Sequence, residues 1–442
     1  MDLLAKIADA TASVAVMGLG YVGLPLLAAF HRAGLAVIGF DVDEAKVVAL
    51  RRGENYLKHL GPTLVSDMVA AGRCAFTSDP ARLADADAVI VCVPTPLGKH
   101  LEPDLTYIEQ STDAIAAHPR PGQLVVLESS TYPRTTRDVM LPRLERGDGT
   151  PAGRRVCGKD FYLAYSPERE DPGRTDHTTQ TIPKLVGGID AASGELAVAL
   201  YRTAIREVIP VSTAEVAEAA KILENVYRAV NIALVNEMKV VLTAMGIDVW
   251  EVIAAASTKP FGFQPFYPGP GLGGHCIPID PYYLTWKARE VGMPTRFIEL
   301  AGEVNRGMPD YVVRRTVEAM NRRGVPTKGA RVLILGLAYK PDVDDVRESP
   351  SFELIEKLED LGAAVDYNDP HVPATHKMRR YDLQMASVPL SPAMLAGYDC
   401  VVVATHHKAY DWQMVADHAR LVVDTRNALA GVSGDRTNVV SA

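Results

Sequence analysis

The sequence predicts an α/β protein with two parallel-sheet domains joined by a central helical domain that contains a long spine helix. Apolar, β-rich runs alternate with helical spacing in the first third of the chain and again in the last quarter. Such alternation is typical of parallel sheets covered by helices on both faces. Between the two regions, residues 213–245 contain neither proline nor glycine. A chain of 442 residues also exceeds the length at which one compact core stops growing.

The first α/β region begins with the apolar run SVAVMGLG and continues with helical apolar spacing that stops at Gly34. Buried strands that alternate with helices favour a doubly wound sheet here. The predicted elements, in chain order, are a strand over 13–20, a helix ending at Gly34, strands over 35–43 and 86–96, a helix over 105–118 and a strand over 123–131.

The middle of the chain is predicted to form one long helix over 213–245, because apolar residues recur every three or four positions. The pattern allows an extension past Gly246 toward Ala256. The α/β pattern then returns without a literal repeat of the first region. Its predicted elements are a strand and loop over 329–341, a helix over 351–362, and strands over 363–370, 398–407 and 419–427.

Bulk composition excludes several classes of protein. The net charge of −8 gives no support for nucleic-acid binding. The five cysteines are odd in number, scattered and without a CxxC pair, which favours a reducing compartment over a disulfide framework. The apolar stretch VAVMGLGYVGLPLLAAF contains three glycines and a proline, so we interpret it as strand, turn and buried helix rather than a membrane span. We therefore expect a cytoplasmic protein with no membrane partner.

A dinucleotide fingerprint follows the first strand. Gly18, Gly20 and Gly23 form a GxGxxG that opens a helix, with Tyr21 and Val22 between the last two glycines. These glycines allow a tight turn and bring a pyrophosphate to the helix N-terminus. An acid ends the second strand at position 41, near the offset expected for a ribose ligand, and its charge would repel a 2′-phosphate. The pattern predicts a Rossmann-like domain that binds NAD; the alternative is a structural glycine turn without cofactor.

Polar residues also follow other predicted strands. Thr95, Ser130 and Thr131 come at strand ends, where ligands of such sheets bind, although ordinary turn chemistry would explain them equally well. In the second α/β region, which lacks GxGxxG, Lys340 and Arg347 follow a strand. Two cations there suit phosphate oxygens, and the alternative is a solvated surface loop.

Taken together, five motifs make the chain resemble the UDP-glucose/GDP-mannose dehydrogenase family. They occur in the family's order and span nearly the whole sequence: GLGYVGLP, YSPERE, AKILENVYRAVNIALVNE, GPGLGGHCIPIDP and GLAYKPDVDDVRESP. The resemblance implies an NAD-binding domain over 1–209, a helical dimerisation domain over 210–315 and a UDP-sugar domain over 316–442. It also implies a homodimer or higher homo-oligomer that oxidises the C6 alcohol of a UDP-sugar to a carboxylate with two NAD, for surface polysaccharide synthesis.

Cys276 lies among glycines and prolines, unlike the other four cysteines, which lie in apolar runs and read as core. Oxidation of an alcohol to an acid passes through an aldehyde, which a thiolate can trap and carry to a thioester. Gly273 and Gly274 would let the sugar and cofactor approach. From the residues alone, a nucleophile and a buried structural cysteine remain equally open; the resemblance favours the nucleophile. We do not expect a dyad with His275, because neighbouring side chains in an extended loop point apart.

Three polar residues of the long helix, Lys221, Asn225 and Arg228, are spaced four and three apart and share a face. A solvated face is the ordinary explanation. The resemblance instead places Lys221 and Asn225 at the reacting carbon, where a cation would stabilise an oxyanion. It also implies that Glu168 is the acid/base for thioester hydrolysis. Asp280 could position water or orient the lysine, or could simply cap a turn before proline.

The resemblance carries over further residues by motif. Those implied to bind cofactor, besides the fingerprint and strand-end residues, are Lys46 and Arg347; those implied to bind substrate are Glu168, Arg169, Lys221, Asn225, Arg228, Tyr267, Gly271, Gly273, Lys340 and Arg426. No metal site is predicted.

Within the family, the run PFGFQPFYPGPGLGGHCIPIDPYYLTWKARE is most similar to UDP-N-acetylglucosamine 6-dehydrogenases. UDP-glucose enzymes usually carry GGSCxPKD, so His275 and Ile279 depart from that branch. UDP-N-acetylmannosamine enzymes also carry GGHC, so this alternative and UDP-glucose stay open as substrates. Arg134 stands where the family usually has glycine in STxxPGTT.

Overall fold

The computed structural model describes residues 2–57, 60–98, 100–147, 153–169, 180–274, 276–378 and 380–442. The chain forms two compact units. The first comprises Met1–Glu224 and Tyr282–Met293, and the second comprises Asn225–Pro281 and Pro294–Ala442. No helix within the described ranges is both long enough and apolar enough to span a membrane.

The first unit is built on a sheet whose described strands run in the order β3-β2-β1-β4-β5-β6-β7-β8. These strands are β1 (Ser13–Met17), β2 (Ala36–Phe40), β3 (Cys74–Thr77), β4 (Ala88–Val91), β5 (Gln123–Leu127), β6 (Phe161–Tyr165), β7 (Lys184–Gly188) and β8 (Val208–Pro210). The helices are α1 (Leu3–Ala8), α2 (Gly23–Arg32), α3 (Glu44–Arg51), α4 (Leu64–Ala70), α5 (Thr106–Ala117), α6 (Leu141–Arg146) and α7 (Ala191–Ala204). Neighbouring strands are parallel, as predicted, except that β6 and β7 pair antiparallel.

Both faces of this sheet are buried, because successive side chains of a strand point to opposite sides. In β1, Val14 and Val16 lie in one apolar cluster, which includes α2 and α7. The alternate residues Ala15 and Met17 lie in a second cluster on the other face, with residues of α5. This two-sided burial explains why the strands read as continuous apolar runs.

The described middle of the chain is helical, with α8 (Ala214–Ala244), α9 (Val249–Ser257), α10 (Cys276–Glu290) and α11 (Arg296–Arg322). The expected long helix is confirmed, but its extension toward Ala256 is wrong. Gly246 takes a φ of +73°, a left-handed conformation that ends a helix, and Asp248 then caps α9 through the Trp250 N–H.

The second unit contains a parallel sheet whose described strands run β10-β9-β11-β12-β13. Its elements are β9 (Arg331–Leu335), α12 (Pro350–Asp360), β10 (Ala364–Asn368), α13 (Pro392–Ala396), β11 (Cys400–Val403), α14 (Trp412–His418), β12 (Val422–Asp424) and β13 (Val439–Ser441). Alternate residues of β9 again enter opposite apolar clusters, Val332 and Ile334 in one and Leu333 and Leu335 in the other. The predicted α/β fold is confirmed in both regions.

Candidate active site

The glycine turn after β1 has the geometry that a dinucleotide requires. Gly18 has a φ of +89°, and a Cβ there would lie 2.4 Å from the Cys92 carbonyl oxygen. A Cβ on Gly23, the first residue of α2, would lie 1.9 Å from the Gly18 oxygen. Beside Gly20, by contrast, a Cβ would meet no atom within 4 Å. The first and third glycines therefore let the strand and helix pack, and the second leaves open space beside the turn for a pyrophosphate.

Asp41 follows β2 at the same edge of the sheet and is only 7% exposed. One carboxylate oxygen accepts the Leu19 N–H at 3.0 Å, and the other accepts the Asp43 N–H at 3.0 Å. Lys46 lies 3.7 Å from the first of these oxygens. The carboxylate thus braces the glycine turn. Sequence reasoning missed Tyr56, whose hydroxyl donates to the Leu19 carbonyl and supports the turn from the other side.

The strand-end hydroxyls hold neighbouring loops together. Thr95 donates to the Ser130 carbonyl at 2.6 Å, and the Thr131 and Thr135 hydroxyls lie 2.6 Å apart. Thr95 and Thr131 are buried, while Ser130 is half-buried. The threonines thus perform turn chemistry, and the half-buried Ser130 remains the more accessible of the three proposed cofactor contacts.

In the first unit, Glu168 follows β6 and is 8% exposed. Its Oε2 lies 3.4 Å from the Nζ of Lys221, which is 4% exposed. A solvated helix face is therefore the wrong explanation for Lys221. Arg169, expected at the substrate, has its guanidinium paired with Glu224, and its Nη1 donates to the Pro183 carbonyl at 2.8 Å.

The second unit holds another polar network. The amide nitrogen of Asn225 donates to Asp280 Oδ2 at 2.6 Å, and Arg228 donates to the Asn225 Oδ1 at 2.9 Å. Asn225 and Asp280 are 1% and 0% exposed. Because Asp280 lies inside α10, a turn-capping role is excluded. Its contact with Asn225 fixes the orientation of that amide.

Cys276 is the first residue of α10, so the predicted extended loop is wrong from this position onward. The cysteine is half-buried, and a helix N-terminus favours the thiolate over the thiol. Asp280 lies four residues later, on the same face of the helix. His275, for which we expected no dyad, lies outside the described residues.

The glycines before Cys276 pack against the second α/β region. A Cβ on Gly273 would lie 2.4 Å from the Tyr339 Cβ, and one on Gly274 would lie 3.0 Å from the Tyr339 ring. The Gly274 N–H donates to the Arg347 carbonyl at 2.8 Å. Their described neighbours belong to the loop that carries Arg347, and the approach of sugar and cofactor at these glycines stays a prediction.

Gly269 and Gly271 also lie very close to neighbouring side chains of the second unit. A Cβ on Gly269 would lie 2.3 Å from the Arg426 guanidinium, and one on Gly271, whose φ is +144°, would lie 3.0 Å from the Pro350 Cβ. Tyr267, at the start of the loop, is 57% exposed and stacks on Trp250. The residue type at each glycine is therefore set by how closely the loop approaches its neighbours.

The three cations expected to bind cofactor or substrate differ in the protein groups that they contact. Arg347 makes a two-pronged ion pair with Asp345, with a closest approach of 2.6 Å. Lys340 lies beside the Tyr339 ring, 5.7 Å from its centroid. Arg426 donates its Nε to the Ala404 carbonyl at 3.0 Å, and burial lowers its pKa to about 10. A buried guanidinium gains most from an anionic partner.

A cluster that sequence reasoning missed lies at the end of β10. Asp342, His371 and His407 offer potential ligand atoms within 4.8 Å of one another. However, His407 accepts the Asp342 N–H at its Nδ1 and contacts Asp369 through its Nε2. Both ring nitrogens already serve the fold, so the cluster does not fit a metal ion.

The other cysteines are confirmed as core residues. Cys400 is buried, and Cys74, Cys92 and Cys157 pack partly buried against apolar clusters. Burial raises the pKa of the Cys74 thiol to about 12 and that of Cys157 to about 12. A thiol of this kind is a poor nucleophile.

A glycine turn at the end of a parallel strand, followed by an acid at the end of the next strand, defines a dinucleotide-binding domain of the Rossmann type. Three family patterns match in order: the NAD binding domain of the UDP-glucose/GDP-mannose dehydrogenase family over 12–205, its central domain over 215–307 and its UDP binding domain over 333–431. The chain belongs to this family and is an NAD-dependent nucleotide-sugar dehydrogenase.

Individual relatives agree with this assignment. The chain is 37% identical over 398 residues to the UDP-N-acetyl-D-glucosamine 6-dehydrogenase of Pseudomonas aeruginosa, covering 90% of this chain and 91% of the relative. It is 33% identical over 403 residues to a UDP-N-acetyl-D-mannosamine dehydrogenase of Methanococcus maripaludis, covering 90% and 86%. The solved structure of a UDP-D-ManNAc dehydrogenase from Pyrococcus horikoshii superposes with a TM-score of 0.85 at 30% identity, covering 97% and 98% of the two chains.

Proposed function

We propose that the protein oxidises the C6 alcohol of a UDP-N-acetylhexosamine, with UDP-N-acetylglucosamine favoured, to the uronic acid in two NAD-dependent steps. The product would serve as a precursor for a surface polysaccharide. The observation that carries the proposal is Cys276, half-buried at the start of a helix whose next turn presents the buried Asp280. A dehydrogenase that stopped at the aldehyde would need no such thiol.

The first oxidation removes a hydride from C6 and the proton from its hydroxyl, and leaves an aldehyde. NAD supplies the hydride acceptor. The ammonium of Lys221, held by Glu168, would stabilise the negative charge that develops on the C6 oxygen. Asn225, whose amide is fixed by Asp280 and Arg228, would bind the same oxygen or a water.

The second oxidation begins when the Cys276 thiolate adds to the aldehyde carbon, the carbonyl electrons move to oxygen, and protonation gives a thiohemiacetal. Loss of a second hydride from the same carbon, with the hydroxyl proton, gives a thioester. Glu168 would take a proton from water as it attacks the thioester carbon. The C–S bond then breaks, which regenerates the thiolate and releases the carboxylate. The reaction consumes one water and two NAD for each sugar.

UDP-N-acetylmannosamine and UDP-glucose are the other candidate substrates within the family. The first has support from the relatives described above, since the Methanococcus UDP-N-acetyl-D-mannosamine dehydrogenase matches at 33% identity, close to the 37% of the Pseudomonas enzyme. The N-acetylated sugars differ at a single carbon, whose recognition depends on pocket shape. We favour UDP-N-acetylglucosamine because the loop sequence around Cys276 is most similar to that branch.

NADH formed per sugar consumed tests the proposal, with the three UDP-sugars measured separately. We expect two NADH per sugar and the highest kcat/KM with UDP-N-acetylglucosamine. A higher kcat/KM with UDP-N-acetylmannosamine would move the assignment to that substrate. One NADH per sugar with each compound would mean a two-electron dehydrogenase and would make Cys276 a structural residue.

We also propose a homodimer, as the family resemblance implies. On α8, the apolar residues Leu234, Met238 and Val241 are spaced four and three apart, and Met245 follows directly after the helix; each of the four is at least 39% exposed. Such a stripe is unfavourable in contact with water and suits the same face of a second copy. Light scattering of the wild type and of Leu234→Glu tests this: a dimer that the substitution dissociates is expected, and a monomeric wild type would contradict it.

A further inference from the structure

Three buried polar side chains form a cluster beneath the carboxyl edge of the first sheet. Glu128 follows β5, Lys184 begins β7, and Tyr201 lies on α7; they are 2%, 7% and 0% exposed. The Lys184 ammonium contacts one oxygen of the Glu128 carboxylate. The Tyr201 hydroxyl donates to the other oxygen at 2.6 Å, and its ring lies 5.2 Å from the ammonium.

Stability alone does not account for this cluster. Removing two charges from water costs much of what their attraction returns, and apolar residues of similar volume usually pack at least as well. None of the three residues belongs to the proposed catalytic set. A buried ion pair at the edge of a sheet that carries the site therefore calls for a positional role.

The third contact of Lys184 indicates what that role is. Its Nζ also donates to the carbonyl of Pro167 at 3.3 Å. The preceding residue, Ser166, is still held by the sheet, since its N–H donates to the Leu127 carbonyl at 3.0 Å. Beyond that bond the chain leaves the sheet, and the next residue after Pro167 is Glu168. The lysine thus fixes the peptide that carries the proposed acid/base.

Glu128 also connects the cluster to the end of β4, at the edge of the sheet where the cofactor is proposed to bind. Glu128 precedes Ser129, whose hydroxyl accepts the Val93 N–H at 2.9 Å and donates to the Val93 carbonyl at 2.7 Å. The N–H of Glu128 itself donates to Val91. Through Glu128, Lys184 therefore ties the Glu168 peptide to the ends of β4 and β5.

We propose that Lys184, paired with Glu128, is a positioning residue that holds Glu168 for hydrolysis of the thioester. This inference rests on the proposed function. Glu168 acts as a base in the last step only; in the two oxidations it acts indirectly, through the Lys221 ammonium that lies 3.4 Å from its Oε2. Loss of the Lys184 contact should therefore slow hydrolysis more than either oxidation.

The test variant is the double substitution Lys184→Met with Glu128→Gln, which removes the donor to Pro167 without leaving a buried carboxylate unpaired. The matched control is Tyr201→Phe, which removes one hydrogen bond from the same cluster and leaves the Pro167 contact in place. Each protein is mixed rapidly with NAD and UDP-N-acetylglucosamine, and NADH is followed through the first turnover and into steady state. Intact mass then reports any adduct on Cys276.

For the double variant we expect a burst of two NADH per site at the wild-type rate, a steady-state rate at least about tenfold lower, and accumulation of the acyl adduct. Tyr201→Phe should stay within about twofold of wild type in both phases. Equal slowing of burst and steady state, or the same behaviour in both variants, would overturn the inference. If the double variant does not fold, Lys184→Gln is compared with Lys184→Arg. The first loses the charged donor and should raise the ratio of burst to steady-state rate, and the second keeps a charged donor and should keep the wild-type ratio; the same ratio in both variants would contradict the role.

The wild-type protein separates this inference from the proposed function. If wild type gives two NADH per sugar and the double variant slows uniformly, only the role of Lys184 fails. If wild type gives a single NADH per sugar, no thioester is hydrolysed, and both proposals fail together.

Discussion

At the scale of single residues, Arg134 shows what a departure from the family pattern means physically. Its φ is +84°, in the left-handed region that glycine favours. Two contacts hold it there: its N–H donates to Glu218 at 2.5 Å, and its guanidinium makes a two-pronged ion pair with Asp138 at 2.9 and 3.0 Å. The sequence revealed the replaced glycine, but the backbone angle explains why glycine is usual.

Arg134→Gly should raise the free energy of unfolding by about 0.5–1 kcal/mol, because relief of a strained φ outweighs the added flexibility of the unfolded chain and the loss of an exposed ion pair. Arg134→Ala is the matched control: it loses the same ion pair and keeps the strain, so it should be slightly destabilised. Urea unfolding measures both. An Arg134→Gly variant no more stable than Arg134→Ala would show that relief of the strain does not outweigh the added flexibility of the unfolded chain.

At this scale the sequence could name the catalytic candidates, but it could not predict which groups their side chains contact. The resemblance named Lys221 and Asp280, but their burial and partners came only from the structure. For Arg169, a motif match predicted a contact with the substrate, whereas in the structure its guanidinium pairs with Glu224. Partners distant in sequence decide which charged side chains remain available.

At the scale of elements, the first turns of α8 carry two glutamates with opposite behaviour. Burial raises the pKa of Glu218 to about 7, against hydrogen bonds from Thr136 and Arg134 that favour its charged form. Burial also opposes ionisation of Glu215, but hydrogen bonds, including one from Arg137, outweigh it and hold its pKa below the ordinary value.

The raised pKa of Glu218 predicts that part of the protein's stability is lost as pH rises. Between about pH 4.5 and 7 the folded protein binds the proton that the unfolded chain releases, so the free energy of unfolding falls through this window, by up to about 3 kcal/mol. Glu218→Gln should flatten that slope in urea unfolding measured against pH.

Glu215→Gln is the control for this measurement. The depressed pKa of Glu215 stabilises the fold above about pH 4.5, and this contribution is lost as pH falls further. Its substitution should leave the slope between pH 4.5 and 7 as in wild type. A wild-type slope in Glu218→Gln would contradict the assignment.

The glycine loop before α10 provides a second prediction at this scale. Gly273→Ala would bring a Cβ within 2.4 Å of the Tyr339 Cβ, so we expect a loss of about 1–3 kcal/mol in stability and lower activity as Cys276 shifts. Gly307→Ala is the control, since Gly307 lies inside α11 with no atom within 4 Å of its built Cβ. That substitution should raise stability by about 0.5–1 kcal/mol. Thermal unfolding and kcat report both; a neutral Gly273→Ala would refute the packing role.

At the scale of the whole molecule, the alternation of strands and helices sufficed to predict two parallel-sheet regions around a helical middle. Local sequence could not predict the antiparallel pairing of β6 with β7, because strand direction depends on the path of the chain between them. Nor could it predict that α10 begins at Cys276, since two of the next five residues are proline. The Lys184–Glu128 pair joins residues 56 apart, with no motif around either.

The assignment of cofactor and nucleotide to different units predicts separate ligand footprints. A ligand that binds the folded state slows amide exchange in the structure it stabilises. NAD alone should protect residues 18–23 in the first unit, and UDP alone should protect the stretch around Lys340 in the second. Hydrogen exchange read by mass spectrometry checks this. Protection of residues 18–23 by UDP would contradict the assignment.

The central claim, oxidation through a covalent bond to Cys276, is tested most directly by trapping that bond. Glu168→Gln keeps the size of the side chain and removes the proposed base, so the thioester should accumulate. The variant is incubated with NAD and UDP-N-acetylglucosamine and then digested, and the masses of its peptides are measured. The account predicts two NADH per site in a single turnover and the mass of the sugar acyl group on the peptide that contains Cys276. Two NADH with free uronic acid and an unmodified Cys276 peptide would contradict it.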